Sequence, residues 1–172
     1  VAFASLIWLG HLQPSVADSD AVPSGYIEVG ELELILQSRN VDRIVEAMNT
    51  IKAMHYKFPL LKYLDDIWNN RQENYPQLPW NVVSQDIVRL EIADVLLQAE
   101  RNEVIDVDTE SMHEFARARV VNEDGEVAFR AISVLAVLDR PADVDLLVAV
   151  ARDPRDLIFR STILALSQMC NG

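Results

Sequence analysis

The amino-acid sequence predicts an all-α fold: a right-handed α-solenoid, or superhelix, of about four antiparallel helical hairpins. Three features carry that expectation. Apolar residues recur at helical spacing almost everywhere after Gly30. Glycine is scarce, the whole set being Gly10, Gly25, Gly30, Gly125 and Gly172. A meander of two-residue turns, a phosphate-cradling loop or a dinucleotide fingerprint each needs glycine where φ is positive or a backbone comes close, and this chain has none to spare. The third feature is a short pattern that recurs after 30 residues in the carboxyl half.

The elements follow in order. Leu32, Leu34, Ile35 and Leu36 form an apolar patch that stops at Ser38-Arg39-Asn40 and predicts a helix over 31–38. Val41, Ile44, Val45, Met48 and Ile51 share one stripe, at i, i+3, i+4, i+7 and i+10, and predict a helix over 41–55. The same spacing after Phe58-Pro59, in Leu60, Leu61, Leu64, Ile67 and Trp68, predicts 58–70. Ile87, Leu90, Ile92, Ala93, Leu96 and Leu97 predict 85–101, and the weaker stripe Met112, Phe115, Ala116 and Val120 predicts 109–120. Apolar runs over 125–138, 141–151 and 155–169 complete the set. Pro59, Pro141 and Pro154 each stand just ahead of a run, where the missing N–H is harmless. Asp42, Asp86, Glu110, Asp143 and Asp156 are placed in first turns, where a carboxylate complements the helix dipole. Short connections make successive helices antiparallel neighbours, the exception being the joint 71–84.

In the repeat, Glu126-Val127-Ala128-Phe129-Arg130-Ala131 matches Asp156-Leu157-Ile158-Phe159-Arg160-Ser161 as acid, aliphatic, any, Phe, Arg, small. Asp86-Ile87-Val88-Arg89 is a looser echo. With Asp153-Pro154, Phe159-Arg160 and Leu164-Ala165-Leu166, the chain resembles the short bacterial form of the HEAT-repeat family, an armadillo-like helical fold. The resemblance is good over 109–169 and looser over 31–101; Phe stands where that family has Val. It implies a scaffold or adaptor, and it implies structural roles for Asp124, Arg130, Asp153 and Arg160 in a ladder between adjacent repeats.

Residues 1–10, VAFASLIWLG, are uncharged and mostly apolar, and Ser15 and Ala17 follow at the spacing of an export cleavage site. The run is too short to cross a bilayer, which takes about 20 residues. We expect a truncated signal peptide over 1–17, an irregular segment over 18–30 and one helical-repeat domain over 31–172. That organisation places the mature protein in a periplasm or outside a cell, with no membrane insertion. The alternative, a first helix packed on the domain, leaves it in the cytoplasm. The formal charge of −12 argues against tracking a nucleic-acid backbone or docking on anionic lipid. The lone Cys170 excludes an internal disulfide and any cysteine zinc cluster.

Chemistry has no evident seat in this sequence. The start of a calcium loop at Asp106, Asp108 and Glu110 meets Ser111 and Arg117 where Gly and Glu belong, so a helix capped by Asp108 or Thr109 is the better reading. His113 has Arg117, not a ligand, four residues on, and His55 and His113 are expected on helix surfaces. The pairs Asp65/Asp66, Asp106/Asp108 and Asp143/Asp145 are expected on solvated faces. No catalytic, cofactor or metal residue is expected. The expected function is a non-catalytic protein- or peptide-binding module, with Glu46, Glu91 and Asp94 as exposed contacts on the second helices of the hairpins. Tyr75 and Trp80, on the irregular stretch 71–84, are further candidate partner anchors, against a preferred reading in which Trp80 plugs the core. Two competing readings are a lyase-like helical-repeat enzyme acting on a bulky ligand and a terminal piece of a longer solenoid.

Overall fold

The computed structural model describes residues 27–54, 57–69, 82–122 and 124–169. Eight α-helices run along them: α1 (Val29–Gln37), α2 (Val41–Ala53), α3 (Phe58–Trp68), α4 (Val82–Arg101), α5 (Thr109–Arg117), α6 (Gly125–Leu138), α7 (Val144–Val150) and α8 (Asp156–Met169). A 3-10 turn over Pro141–Asp143 leads into α7, and no strand occurs among the described residues. The protein is all-helical in this region, as its periodicity requires. No helix there is long and apolar enough to cross a membrane.

Side chains set the helix starts. Asn40 accepts from the Arg43 N–H at 3.2 Å to open α2, and Asp108 accepts from the Ser111 N–H at 3.1 Å to open α5. Asp124 takes the N–H groups of Glu126 and Val127 at 3.0 and 3.2 Å to open α6. Each satisfies donors that a first turn leaves without a helical acceptor. After α1 and α4, and directly after α6, the chain turns through left-handed residues that are not glycine: Arg39 (φ 57°), Glu103 (φ 58°) and Asp139 (φ 52°). Such a backbone costs roughly 1–2 kcal/mol for an L residue, and this is how a glycine-poor chain still reverses direction.

Three boundaries differ from the periodicity. Helix α1 begins at Val29, and Ile27 ahead of it is fully buried, so part of the 18–30 segment belongs to the packed domain. Helix α4 begins at Val82, which moves Asp86 out of the first turn; it is buried there with Arg119 Nε 2.8 Å from its carboxylate. Helix α5 stops at Arg117 although the stripe continues to buried Val120, because Arg119 and Val120 both turn back on the Ala116 carbonyl.

Helix α4 occupies the centre. It packs on α2, α3, α5 and α6, and Val88, Leu90, Ile92, Ala93, Val95, Leu96 and Ala99 are all enclosed. A helix covered on so many sides has no broad polar face. The even-numbered helices pack against one another in chain order, α2 on α4, α4 on α6 and α6 on α8, and each also packs on the odd-numbered helix before it. Beside α4, the Arg89 guanidinium lies between the Trp68 and Phe115 rings, 4.8 and 4.7 Å from their centroids. Trp68 donates its indole N–H to Ser111 Oγ at 2.9 Å and meets Phe115 edge-on. Burial and the nearby Arg119 charge lower the Arg89 pKa from its ordinary value. Stacking on the rings compensates part of that desolvation.

The turn before α8 has its own clasp. The Arg155 N–H and Nε both donate to Asp153 Oδ1, Nη2 donates to Oδ2, and Nη1 reaches the Asn122 carbonyl at 3.1 Å. This joins the α7–α8 turn to the α5–α6 turn and holds the Asp153 carboxyl at about 2, from an ordinary 3.8. A depressed carboxyl contributes stability that is complete above its unfolded value and disappears as pH falls through its folded value. We therefore expect Asp153→Asn to be less stable than the native chain at neutral pH, with the difference closing between about 4 and about 2. Urea denaturation of both proteins across that range is the check.

Candidate functional site

A groove of about 1040 Å³ runs across α2, α4 and the first turns of α6. One flank of α2 forms its long wall through four successive turns: Val41 and Asp42, Val45 and Glu46, Asn49 and Thr50, Ala53 and Met54. Those pairs recur every four residues, on the flank next to the stripe that buries Ile44, Met48 and Ile51. Ile87 of α4 lies between this wall and Glu126 and Arg130 of α6, and Lys57 completes the lining.

Behind the groove, a charged cluster ties three helices together. Glu91 of α4 is buried and takes Lys52 Nζ of α2 at 3.3 Å and the Arg130 guanidinium of α6. Lys52 also reaches Asp94 at 2.8 Å, and Gln98 donates to the other Asp94 oxygen at 2.9 Å. Arg130 holds Glu126 one turn back in α6, and burial lowers its pKa from the ordinary value. Two cations thus face three carboxylates; the pairs that meet at buried Glu91 are shielded from water and strengthened by it, while Glu126 stays exposed. Asp42 and Glu46, in contrast, are exposed and make no ion pair among the described residues.

Of the expected contact residues, Glu46 does face this groove. Glu91 and Asp94 are not the exposed contacts that their positions suggested. Each carboxylate is turned to Lys52, because a charge on a helix packed on both sides must find a counter-charge. Tyr75 and Trp80 lie outside the described residues, as do His55 and Cys170. The repeat residues also depart from the expected ladder. Arg130 does link α6 to the preceding even-numbered helix, but through Glu91 and not through a turn Asp. Asp124 caps α6, Asp153 is held by Arg155, and Arg160 pairs with Asp156 in solvent at 2.9 Å.

His113 is likewise not a surface residue. It is buried, with Nε2 2.8 Å from the fully enclosed Asp143, which also receives Arg117 Nη1 at 2.6 Å. Its Nδ1 lies 3.1 Å from Arg140 Nη1, and Arg140 in turn holds Glu110 at 2.6 Å. The Arg140 contact depresses the Glu110 pKa from its ordinary value. Both ring nitrogens therefore have protein neighbours, and the group fastens α5 to the turn before α7. Asp65 is buried as well, accepting from Asn69 at 2.6 Å, whereas Asp106, Asp108 and Asp145 stay exposed. Among the described residues no cluster of three or more His, Cys, Asp or Glu is placed to hold a metal ion.

A scan of protein-family models and searches of curated proteins and solved structures give no match for this chain. The functional reading therefore rests on the geometry of the groove.

Removing the Glu91 carboxylate leaves Lys52 and Arg130 facing each other without their shared counter-charge. Glu91→Ala is expected to lower unfolding stability by roughly 2–4 kcal/mol, measured in urea at neutral pH. Asp42→Ala, on the same groove, exposed and without an ion pair among the described residues, is expected to cost no more than about 1 kcal/mol, the contribution of its first-turn position on α2.

Proposed function

We propose that the protein is a non-catalytic binding module, a short HEAT-like α-solenoid acting outside the cytoplasm, whose even-numbered helices form the inner face. Its groove takes a basic, partly apolar segment of a partner protein. The packing of α2, α4, α6 and α8 in chain order supports the solenoid reading, since that row is what stacked hairpins sharing one core would form. The setting outside the cytoplasm rests on residues 1–17 read as an export signal.

The observation that carries the binding reading is the division of charge along the groove. Of the charges that line it, Glu126 is held by Arg130 and Lys57 stands at one end, while Asp42 and Glu46 project from the α2 wall and make no ion pair among the described residues. Val41, Val45, Met54 and Ile87 offer apolar surface between them. A segment with two Lys or Arg residues spaced over an apolar face satisfies both features. The chain's net charge of −12 also steers cationic partners toward it.

The test uses fluorescence anisotropy with an amphipathic Lys/Leu peptide and a Glu/Leu peptide of the same length and pattern. The basic peptide is expected to bind and the acidic one not to. Reversing both wall charges with Asp42→Lys and Glu46→Lys is expected to weaken binding at least ~10-fold while leaving the circular dichroism unchanged. Equal binding of the two peptides, or indifference to the double reversal, overturns the reading.

A further inference from the structure

The two ring nitrogens of buried His113 face opposite kinds of partner. On one side Nε2 lies 2.8 and 3.1 Å from the two oxygens of Asp143, whose enclosed carboxylate also receives Arg117 at 2.6 Å. An ionised carboxylate can only accept, so Nε2 carries a hydrogen. On the other side Nδ1 lies 3.1 Å from Arg140 Nη1. A guanidinium can only donate, so Nδ1 offers a lone pair and the ring is the neutral Nε2–H form. Charges balance around that form, with Arg117 and Arg140 set against Asp143 and Glu110.

We propose that His113 is a proton-operated latch, in which a proton gained at Nδ1 exchanges Arg140 for Glu110 on that nitrogen while the bond to Asp143 is kept. With Nδ1 protonated, two cationic donors face each other across 3.1 Å and the contact becomes repulsive. An acceptor is already in place, because Glu110 Oε1 lies 3.6 Å from Nδ1. The Glu110 side chain is 63% exposed, so it also connects the enclosed ring to protons from solvent. Arg140 has somewhere to go. It borders a cleft of about 410 Å³ together with Thr109, Glu100 and Arg101 of α4, and Asp139 at the end of α6. Glu100 and Asp139 make no ion pair among the described residues, and either carboxylate can take the displaced guanidinium. Arg140 is also what ties Thr109 and Glu110, at the start of α5, to the turn before α7. The exchange therefore loosens that joint in acid and restores it near neutrality. No part of this depends on the groove, which is lined by α2, Lys57, α4 and α6.

The test follows the full native chain by NMR from about pH 8 to about pH 5, the range in which histidine charge changes. Long-range proton–nitrogen correlations report the imidazole form, and the side-chain N–H signals report the arginines. The expected result is the Nε2–H form at the upper end and an imidazolium at the lower end. Arg140 signals are expected to move with the same midpoint as the ring. Arg117, tied to Asp143 in both forms, is the control and is expected to move less. Two variants at partly exposed positions give a second readout. Glu110→Gln is expected to lower the proton affinity of the ring at least ~3-fold, and Arg140→Gln to raise it by at least as much. An Nδ1–H form or an imidazolium at the upper end, Arg140 signals that do not follow the ring, or equal proton affinity in the two variants overturns the proposal.

Discussion

Enclosure of α4 constrains the rest of the molecule, because a helix buried on so many sides needs neighbours on each of them. Helices α2, α3, α5 and α6 supply those neighbours, and the apolar contacts they make with Leu90, Ile92, Leu96 and Ala99 form the middle of the core. Of the two acids that α4 buries, Asp86 pairs with Arg119, and Glu91 dictates where cations must stand on either side. Lys52 arrives from α2 and Arg130 from α6, so a single carboxylate couples three successive even-numbered helices. A buried acid with two bases on separate helices specifies their relative placement more sharply than apolar contact alone.

That coupling also shapes the candidate site. With Lys52 and Arg130 engaged inward, the groove keeps no excess of positive charge, and the exposed carboxylates of Asp42 and Glu46 dominate its wall. The same division recurs at the other polar clusters. His113, Asp143, Arg117 and Arg140 fasten α5 to the turn before α7, and Arg155 with Asp153 fastens the α7–α8 turn to the α5–α6 turn. In these clusters the buried polar groups join elements, whereas Asp42 and Glu46 stay exposed on the groove.

Particular residues show where sequence reasoning stopped short. The stripe Val41, Ile44, Val45, Met48 and Ile51 was enough to place a helix over the residues of α2, and the acid-aliphatic-any-Phe-Arg pattern was enough to align α6 with α8. The same pattern could not say that Arg130 meets Glu91 on another helix while Arg160 meets Asp156 of its own helix. That difference arises because α6 has a helix on each side and α8 packs against α6 and α7. Glu91 and Asp94 read as surface acids for a similar reason. Helical spacing reports which residues share a face, and a lysine 39 residues away on another helix leaves no local trace. One signal was available: an acid inside the near-continuous apolar run of α4 is costly unless paired.

From its linear order alone the chain determined that it is helical, roughly where each helix begins and ends, and that glycine-dependent phosphate loops are absent. Those properties depend on neighbours a few residues apart, through 3.6-residue periodicity and capping side chains. Only the tertiary structure decided which charges are spent in the interior and which remain on the groove. The same holds for the burial of His113 and the exposure of Leu157 and Leu164. Each of these outcomes depends on whether a second helix covers the residue, and that is settled by packing between segments remote in sequence.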